Sequence, residues 1–160
     1  MRCLLIDDDL QFTNRVIDAL REEVPELRQS IDHILTEKAL QMRLNAREPF
    51  DYDTVILDVM VRWTDKNEQE RAELAPGDGG YFRAGIRCLA AIRSLHKGGD
   101  IPILIHSARD RGDIEDLIRE AGLSLEKVTI FPKDGNFDPL ILAVRKLIPG
   151  IPSGGRRGHR

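Results

Sequence analysis

The chain alternates short apolar runs of strand length with longer stretches in which apolar residues recur at the spacing of one face of an α-helix. The apolar runs cover residues 3–6, 31–35, 54–57, 101–105 and 128–131. The helical patterns cover residues 12–24, 37–44, 82–92, 114–121 and 139–148. Strands alternating with helices in this way predict βαβ units with right-handed crossovers. The sequence therefore predicts an α/β domain with a doubly wound, five-stranded parallel sheet covered by helices on both faces.

Residue types typical of helix ends support these boundaries. Thr36, Asp113 and Asp138 each precede a helical pattern and are predicted to cap the N-terminus of the helix that follows. Pro139 suits the first helical position, where a missing N–H is tolerated. Gly122 follows the fourth helical pattern, and we expect it to adopt the left-handed conformation that ends many helices.

Composition narrows the class of protein. The chain has 160 residues, of which 41% are hydrophobic and 32% charged, as expected for one globular domain with a core. No apolar run approaches the roughly 18 residues of a transmembrane helix, and Asp7 comes too early for a signal peptide. Cys3 and Cys88 lie far apart in sequence and are predicted to be reduced thiols. We therefore expect a cytoplasmic domain, rather than a membrane protein or a disulfide-stabilised scaffold.

Polar side chains follow four of the predicted strands. Three aspartates (residues 7–9) follow the first strand, and Asp58 follows the third. Ser107 follows the fourth strand and Lys133 the fifth. Each residue alone is accounted for by helix capping or ordinary loop composition. Because ligands of doubly wound sheets bind beyond the carboxyl ends of the strands, we expect these side chains to share one crevice.

The combination of residue types in this crevice favours phosphoryl transfer. Several carboxylates close together repel one another unless a cation neutralises them, and carboxylate oxygens suit a hard ion such as Mg²⁺. A lysine ammonium and a serine hydroxyl both suit phosphoryl oxygens. In such a site a carboxylate would act as the nucleophile and form an aspartyl phosphate.

Four motifs, in the correct order and on the correct elements, resemble those of response-regulator receiver domains, the phosphoacceptor half of bacterial two-component signalling. The motifs are LLIDDD (residues 4–9), VILDVM (55–60), ILIHSA (103–108) and IFPK (130–133). The resemblance implies the flavodoxin-like (βα)5 receiver fold. It covers about residues 1–149, including an enlarged loop at residues 61–80, and leaves residues 150–160 as a basic tail that we predict to be disordered.

The resemblance also implies a role for each residue of the crevice. Asp58 would accept the phosphoryl group, while Ser107 and Lys133 would contact phosphoryl oxygens. The implied metal ligands are Asp7, Asp8, Asp58 and the backbone carbonyl of Met60, around Mg²⁺ (or Mn²⁺). Asp7 would act directly or through water. Asp9 is left to cap the first helix.

The sequence departs from the receiver pattern around the lysine and in one loop. Receivers usually have a proline after the lysine, whereas here Pro132 precedes Lys133 and Asp134 follows it, where it could pair with the lysine. Ile130 stands where receivers usually have an aromatic residue that moves on activation. The loop at 61–80 is a candidate lid or partner surface, with Trp63 a candidate anchor against the domain.

The length of the chain favours a stand-alone receiver, because too few residues follow the predicted domain for an output domain. Its partners would then be a sensor histidine kinase or phosphotransfer protein and a downstream protein target. The net charge of −3, from 24 Lys and Arg against 27 Asp and Glu, gives no reason to expect nucleic-acid binding. Beyond self-catalysed phosphorylation and dephosphorylation of Asp58, no enzyme activity is expected.

Two alternatives stay open at this point. One is a receiver-like interaction module that works without phosphorylation, which is motivated by Ile130 and by the missing proline after Lys133. The other is a phosphatase resembling the haloacid-dehalogenase superfamily, with Asp7 as nucleophile and Asp9 completing an Asp-x-Asp motif; this reading leaves Asp58 without a role. His106, adjacent to Ser107, is predicted to point to the opposite side of the strand and to be a packed or surface histidine rather than a catalytic one.

Overall fold

Five short strands form one parallel sheet in the part of the chain that the structure, a computed structural model, describes: residues 1–46, 49–64, 83–95 and 100–148. The strands are β1 (Cys3–Ile6), β2 (Ile31–Ile34), β3 (Thr54–Leu57), β4 (Ile103–Ser107) and β5 (Val128–Pro132). Their order in the sheet is β2-β1-β3-β4-β5. Most of the enlarged loop at 61–80 and the predicted disordered tail lie outside the described residues.

Helices follow the strands as predicted. They are α1 (Leu10–Glu23), α2 (Glu37–Asn45), α3 (Ala84–Arg93), α4 (Arg111–Glu120) and α5 (Asp138–Lys146), and a short 3₁₀ helix spans Pro25–Leu27. None of the helices in the described ranges is long and apolar enough to cross a membrane. The alternation of strands and helices confirms the predicted doubly wound α/β architecture.

Each face of the sheet is covered by its own apolar core. Alternate residues of the central strands, such as Leu5 and Ile56, pack against α1 and α5 on one face. Their neighbours, such as Leu4 and Val55, pack against α2, α3 and α4 on the other face. Because both faces are buried, β1, β3 and β4 consist of buried residues throughout, which explains their continuous apolar runs.

Strand β2 lies at one edge of the sheet, which explains its polar residues. The Asp32 carboxylate accepts hydrogen bonds from Tyr52 and from the guanidinium groups of Arg2 and Arg43. These hydrogen bonds hold the pKa of Asp32 below its usual range, chiefly because of the Tyr52 hydroxyl. An edge strand tolerates such a network because its outer side is not covered by another strand.

Three predictions about helix ends are confirmed. The side chain of Asp9 accepts a hydrogen bond from the amide of Phe12, and Thr36 accepts one from the amide of Ala39. Gly122 follows α4 with a φ of +70°, a backbone conformation that glycine adopts without the steric cost of a Cβ.

Two predicted caps are wrong. Helix α4 begins at Arg111, so Asp113 lies within its first turn, where its negative charge still faces the positive end of the helix dipole. Helix α5 begins at Asp138 itself, so Asp138 is its first residue rather than its cap, and the Asp138 amide donates a hydrogen bond to the side chain of Asn136 at 3.1 Å. The residue before α4 is Asp110 and the residue before α5 is Phe137, and neither forms a side-chain capping hydrogen bond.

Strand β4 is shifted along the chain relative to its predicted position. It begins at Ile103 rather than residue 101, and it extends to Ser107, which pairs with Pro132 of β5. The carbonyl of Ser107 accepts a hydrogen bond from the amide of Lys133 at 2.9 Å. This extension of the β4–β5 ladder brings Lys133 beside Ser107.

Candidate functional site

The carboxyl ends of β1, β3, β4 and β5 bring the predicted site residues together. Strands β1 and β3 pair in register, with Ile6 opposite Leu57, and the Asp58 amide donates to the carbonyl of Ile6 at 2.9 Å. Asp7 and Asp58 therefore leave the sheet side by side. Both are almost fully buried, with 5% and 7% of their surface exposed.

Asp58 is the centre of the site because both of its carboxylate oxygens are engaged. Oδ1 accepts hydrogen bonds from the Ser107 hydroxyl at 2.7 Å and from the Met60 amide at 3.0 Å. Oδ2 lies 2.6 Å from the ammonium nitrogen of Lys133. Ser107 and Lys133 thus approach Asp58 from two different strands, as predicted from their positions at the strand ends.

Lys133 bridges two aspartates. Its Nζ lies 2.6 Å from Asp58 and 2.7 Å from Asp7. Burial opposes the charge of Lys133, but the opposite charges and hydrogen bonds of Asp58 and Asp7 outweigh it, so the pKa of Lys133 is raised. Burial also raises the pKa of Asp7, against the lowering effect of Lys133. Lys133 is therefore held as a cation between carboxylates.

Asp134 makes a local hydrogen bond rather than the possible ion pair with Lys133. The carboxylate of Asp134 accepts a hydrogen bond from the Asn136 amide at 2.9 Å, in the turn that leads into α5. Aspartate side chains in turns readily accept a hydrogen bond from the backbone amide two residues further along the chain. Ile130 is partly buried and packs against the core on the α4 side of the sheet, and Phe131 packs on the opposite side.

Three carboxylates lie close enough for a divalent cation. One oxygen from each of Asp7, Asp8 and Asp58 can be chosen so that all three lie within 4.8 Å of one another. Oxygen donors of this kind fit a hard ion such as Mg²⁺, which binds through one or two carboxylates and retains several waters. The donor set therefore fits the predicted metal, with Asp8 at the more exposed side of the cluster.

Sequence reasoning missed Arg62, four residues after Asp58. Its Nε donates to Asp8 Oδ2 at 2.7 Å, and its Nη2 lies 3.4 Å from the Asp8 carbonyl. The segment formed by residues 61–64 runs beside the start of α2, where Arg62 forms a parallel bridge with Thr36. Trp63 packs against the core, consistent with its predicted anchoring role. The only sequence signal for Arg62 was a basic residue close after the acceptor strand.

Sequence reasoning also missed Gly85, the second residue of α3. Its amide donates to the Val59 carbonyl at 3.1 Å. A Cβ at this position would lie 2.2 Å from the Asp58 carbonyl oxygen and 2.5 Å from Val59 Cα. The absence of a side chain therefore allows α3 to pack directly against the backbone that presents Asp58.

Substituting Gly85 with alanine is expected to lower the free energy of unfolding by about 2–3 kcal/mol, because the added methyl group overlaps backbone atoms. Gly112, the second residue of α4, is a matched control, since nothing lies within 4 Å of its Cβ position. Gly112→Ala should be neutral or stabilising by up to about 1 kcal/mol. Urea denaturation of both variants tests the prediction. Equal stabilities for the two variants would show that the backbone after β3 moves aside freely.

His106 is buried and packed, with 2% of its surface exposed, so the structure selects the packed position from the two that the sequence left open. Its ring lies 5.1 Å from that of Phe12 and 6.1 Å from that of Phe137. Burial, assisted by the nearby positive charge of Lys133, lowers the pKa of His106 to about 4. The histidine is therefore neutral at physiological pH and belongs to the core on the opposite side of β4 from Asp58.

Solved structures similar to this chain are receiver domains. The signal receiver domain of a DNA-binding response regulator (merR) from Colwellia psychrerythraea 34H is 20% identical, with a TM-score of 0.62 over 92% of this chain and 97% of that one. A signal receiver domain of a two-component histidine kinase from Clostridium thermocellum is 16% identical, with a TM-score of 0.62 over 91% and 95%. The phosphorylated cyanobacterial phytochrome response regulator RcpA is 16% identical, with a TM-score of 0.54 over 91% and 90%.

These similarities show that the chain has the fold of response-regulator receiver domains over most of its length. The predicted fold is therefore confirmed. No protein-family model matches the sequence, and no curated protein matches it.

Proposed function

We propose that this chain is the phosphoacceptor module of a two-component phosphorelay, and that Asp58 accepts the phosphoryl group in the presence of Mg²⁺ or Mn²⁺. One observation supports the proposal above all. A single buried carboxylate, Asp58, contacts a serine hydroxyl and a lysine ammonium, within reach of two further carboxylates. This is the donor set that phosphoryl transfer to an aspartate requires.

In the proposed reaction an Asp58 carboxylate oxygen attacks the phosphorus of a phosphohistidine or an acyl phosphate. The bond from phosphorus to the donor breaks, and the donor leaves with the electron pair. Lys133 and Ser107 already contact the two Asp58 oxygens, at 2.6 Å and 2.7 Å, so a small movement lets them donate to the transferred phosphoryl oxygens. Preorganised donors of this kind stabilise the charge that develops during transfer.

Asp7, Asp8, Asp58 and the backbone carbonyl of Met60 would hold the metal ion. When bound, the ion would neutralise the carboxylates and polarise a phosphoryl oxygen. The amide of Met60 already donates to Asp58, which fixes the backbone directly after the acceptor. Asp9 is left out of the proposed site because its side chain caps α1.

The phosphorylated module would act through protein contacts, with a sensor histidine kinase or phosphotransfer protein upstream and a protein target downstream. The proposed signal is a shift between two conformations that differ at Ser107 and at the surface of α4, β5 and α5. Ile130 replaces the usual aromatic switch residue, so Ser107 and Lys133 would be the principal moving groups.

The experiment that tests the proposed function is phosphorylation by acetyl phosphate and Mg²⁺, followed by intact mass spectrometry. We expect one phosphoryl adduct, no adduct after chelation of the metal, and no adduct on the Asp58→Asn variant. Ser107→Ala, which leaves the acceptor in place, should slow the reaction without abolishing it. An adduct that persists on Asp58→Asn would contradict the proposed acceptor.

A second candidate function is a receiver-like interaction module that does not use phosphorylation. It is favoured by the two basic side chains that contact the acidic cluster, Lys133 and Arg62, because they already neutralise much of its negative charge. Beryllofluoride, a phosphoryl mimic, distinguishes the two functions. A change in the spectrum of the protein that requires both Mg²⁺ and beryllofluoride supports the phosphoacceptor function. The absence of such a change supports the interaction module.

A further inference from the structure

Arg62 occupies one oxygen of a carboxylate that the proposed metal site also needs. Its Nε lies 2.7 Å from Asp8 Oδ2, and its Nη2 points to the carbonyl of the same residue. Both side chains are about three-quarters buried, with exposed fractions of 27% and 24%. An ion pair with this burial is less screened by solvent than an ordinary surface pair.

The backbone of Arg62 is fixed, so its guanidinium reaches Asp8 from a defined position. The Arg62 carbonyl accepts a hydrogen bond from the amide of Glu37 at 2.9 Å, and the Trp63 carbonyl accepts one from Lys38 at 2.7 Å. These amides belong to the first turn of α2, whose N–H groups have no partner within the helix. Arg62 is thereby attached to the start of α2, and its side chain extends from there to Asp8.

Two basic side chains share the three carboxylates of the acidic cluster. Lys133 pairs with Asp7 and Asp58, while Arg62 pairs with Asp8. A divalent ion that uses Asp8 must approach its carboxylate at about 2.1 Å with near-octahedral geometry. A guanidinium hydrogen-bonded to the same carboxylate then faces a double positive charge at short range, which is repulsive.

We propose that Arg62 is a competitor for the divalent cation, built into the chain, and that Mg²⁺ binding displaces its side chain from Asp8. This inference rests on the metal site of the proposed function. Arg62 therefore sets the Mg²⁺ concentration at which the site fills.

The test is Mg²⁺ titration of the full chain by isothermal calorimetry at constant ionic strength. Arg62→Gln removes the charge and retains a polar side chain, and we expect it to bind Mg²⁺ about tenfold more tightly, from the lost ion pair and the lost repulsion. Arg62→Lys keeps the charge and should remain near the wild type. Arg119→Gln is the matched control: it removes an equal charge from an exposed ion pair on α4 and should leave the affinity unchanged.

A second measurement observes the displacement in the unaltered chain. The Arg62 Nε–H cross-peak in a ¹H–¹⁵N spectrum, assigned by its loss in Arg62→Gln, should move on addition of saturating Mg²⁺. In Asp8→Asn, which lacks the carboxylate, Mg²⁺ should leave that cross-peak unmoved. The displacement itself is observed in the wild-type chain, and Arg62→Gln serves only for the assignment of the cross-peak.

The outcomes separate this inference from the proposed function. Tighter binding by Arg62→Gln together with a moving wild-type cross-peak supports the inference. Binding of Mg²⁺ by wild type and Arg62→Gln with equal affinity overturns it and leaves the phosphoacceptor proposal intact. Failure of both proteins to bind Mg²⁺ overturns the inference and the metal-dependent function together. Binding by Arg62→Gln alone supports the inference in its strongest form.

Discussion

Replacing Lys133 with methionine is expected to lower the free energy of unfolding by about 3–5 kcal/mol at pH 7 without divalent cations, the usual cost of breaking a buried ion pair on one side. The ammonium group lies 2.6 Å from Asp58 and 2.7 Å from Asp7, and both carboxylates are buried. Methionine fills a similar volume without a charge. The loss of stability therefore measures the repulsion and burial of two carboxylates that no longer have a positive partner between them.

The loss of stability in Lys133→Met should depend on pH in a defined direction. Burial already raises the pKa of Asp7 in the wild type, and Lys133 opposes that rise. Without the lysine, the pKa of Asp7 in the folded state rises further above its value in the unfolded chain. The folded variant then binds a proton that the unfolded chain does not, and its deficit shrinks as the pH falls from 7 toward the carboxyl range.

Urea denaturation of Lys133→Met at pH 7 and pH 5, with and without Mg²⁺, measures both effects. Lys127→Met is the control, because Lys127 forms an exposed ion pair with Asp100 at the edge of the sheet. It should change stability by no more than about 1 kcal/mol. Mg²⁺ should restore part of the stability of Lys133→Met. A deficit that is equally large at both pH values would contradict the assigned role of the carboxylates.

The site residues at the strand ends could be predicted from the sequence because parallel topology alone brings them together. Asp7, Asp58, Ser107 and Lys133 each follow an apolar run. The register of the paired strands then places the ends of these runs side by side. The direction of the His106 side chain, away from Ser107, followed in the same way from the alternation of side chains along β4. These inferences need only the order of the elements and the direction of the chain.

Arg62 and Gly85 could not be predicted because their roles depend on contacts between distant segments. Arg62 reaches Asp8 only because its backbone pairs with Thr36, a contact that no local pattern encodes. Gly85 matters because α3 lies against the backbone after Asp58, and a glycine near a helix start has no periodic signature. The wrong N-caps have a simpler reason: Asp110 is as suitable a residue type as Asp113 for the start of α4, and the N-cap of α5 is Phe137, which capping preferences do not predict.

The basic side chains of Lys133 and Arg62 also change the explanation of how the acidic cluster is neutralised. Several carboxylates in one crevice require neutralisation, and the sequence pointed to a metal ion for that purpose. In the structure Lys133 and Arg62 supply two positive charges to the three carboxylates. A bound ion would therefore have to compete with these side chains rather than fill an otherwise unneutralised site.

The second large effect that we expect is a loss of stability at acidic pH, caused by the buried side chain of His106. Its pKa is lowered to about 4 in the folded protein, first by burial and then by the charge of Lys133, whereas the ordinary value is 6.5. Between these values the unfolded chain binds a proton that the folded protein does not. Stability should therefore fall as the pH decreases through this window, by about 3 kcal/mol in total, since a tenfold difference in proton affinity is worth about 1.4 kcal/mol.

His106→Phe isolates this contribution, because phenylalanine retains an aromatic ring beside Phe12 and Phe137 but does not titrate. Its stability should be nearly constant between pH 7 and pH 5, where that of the wild type falls. Phe137→Leu is the control: it weakens the same cluster, keeps the histidine, and should lower stability at every pH while preserving the wild-type slope. Parallel pH profiles for wild type and His106→Phe would mean that groups other than His106 cause the acid sensitivity.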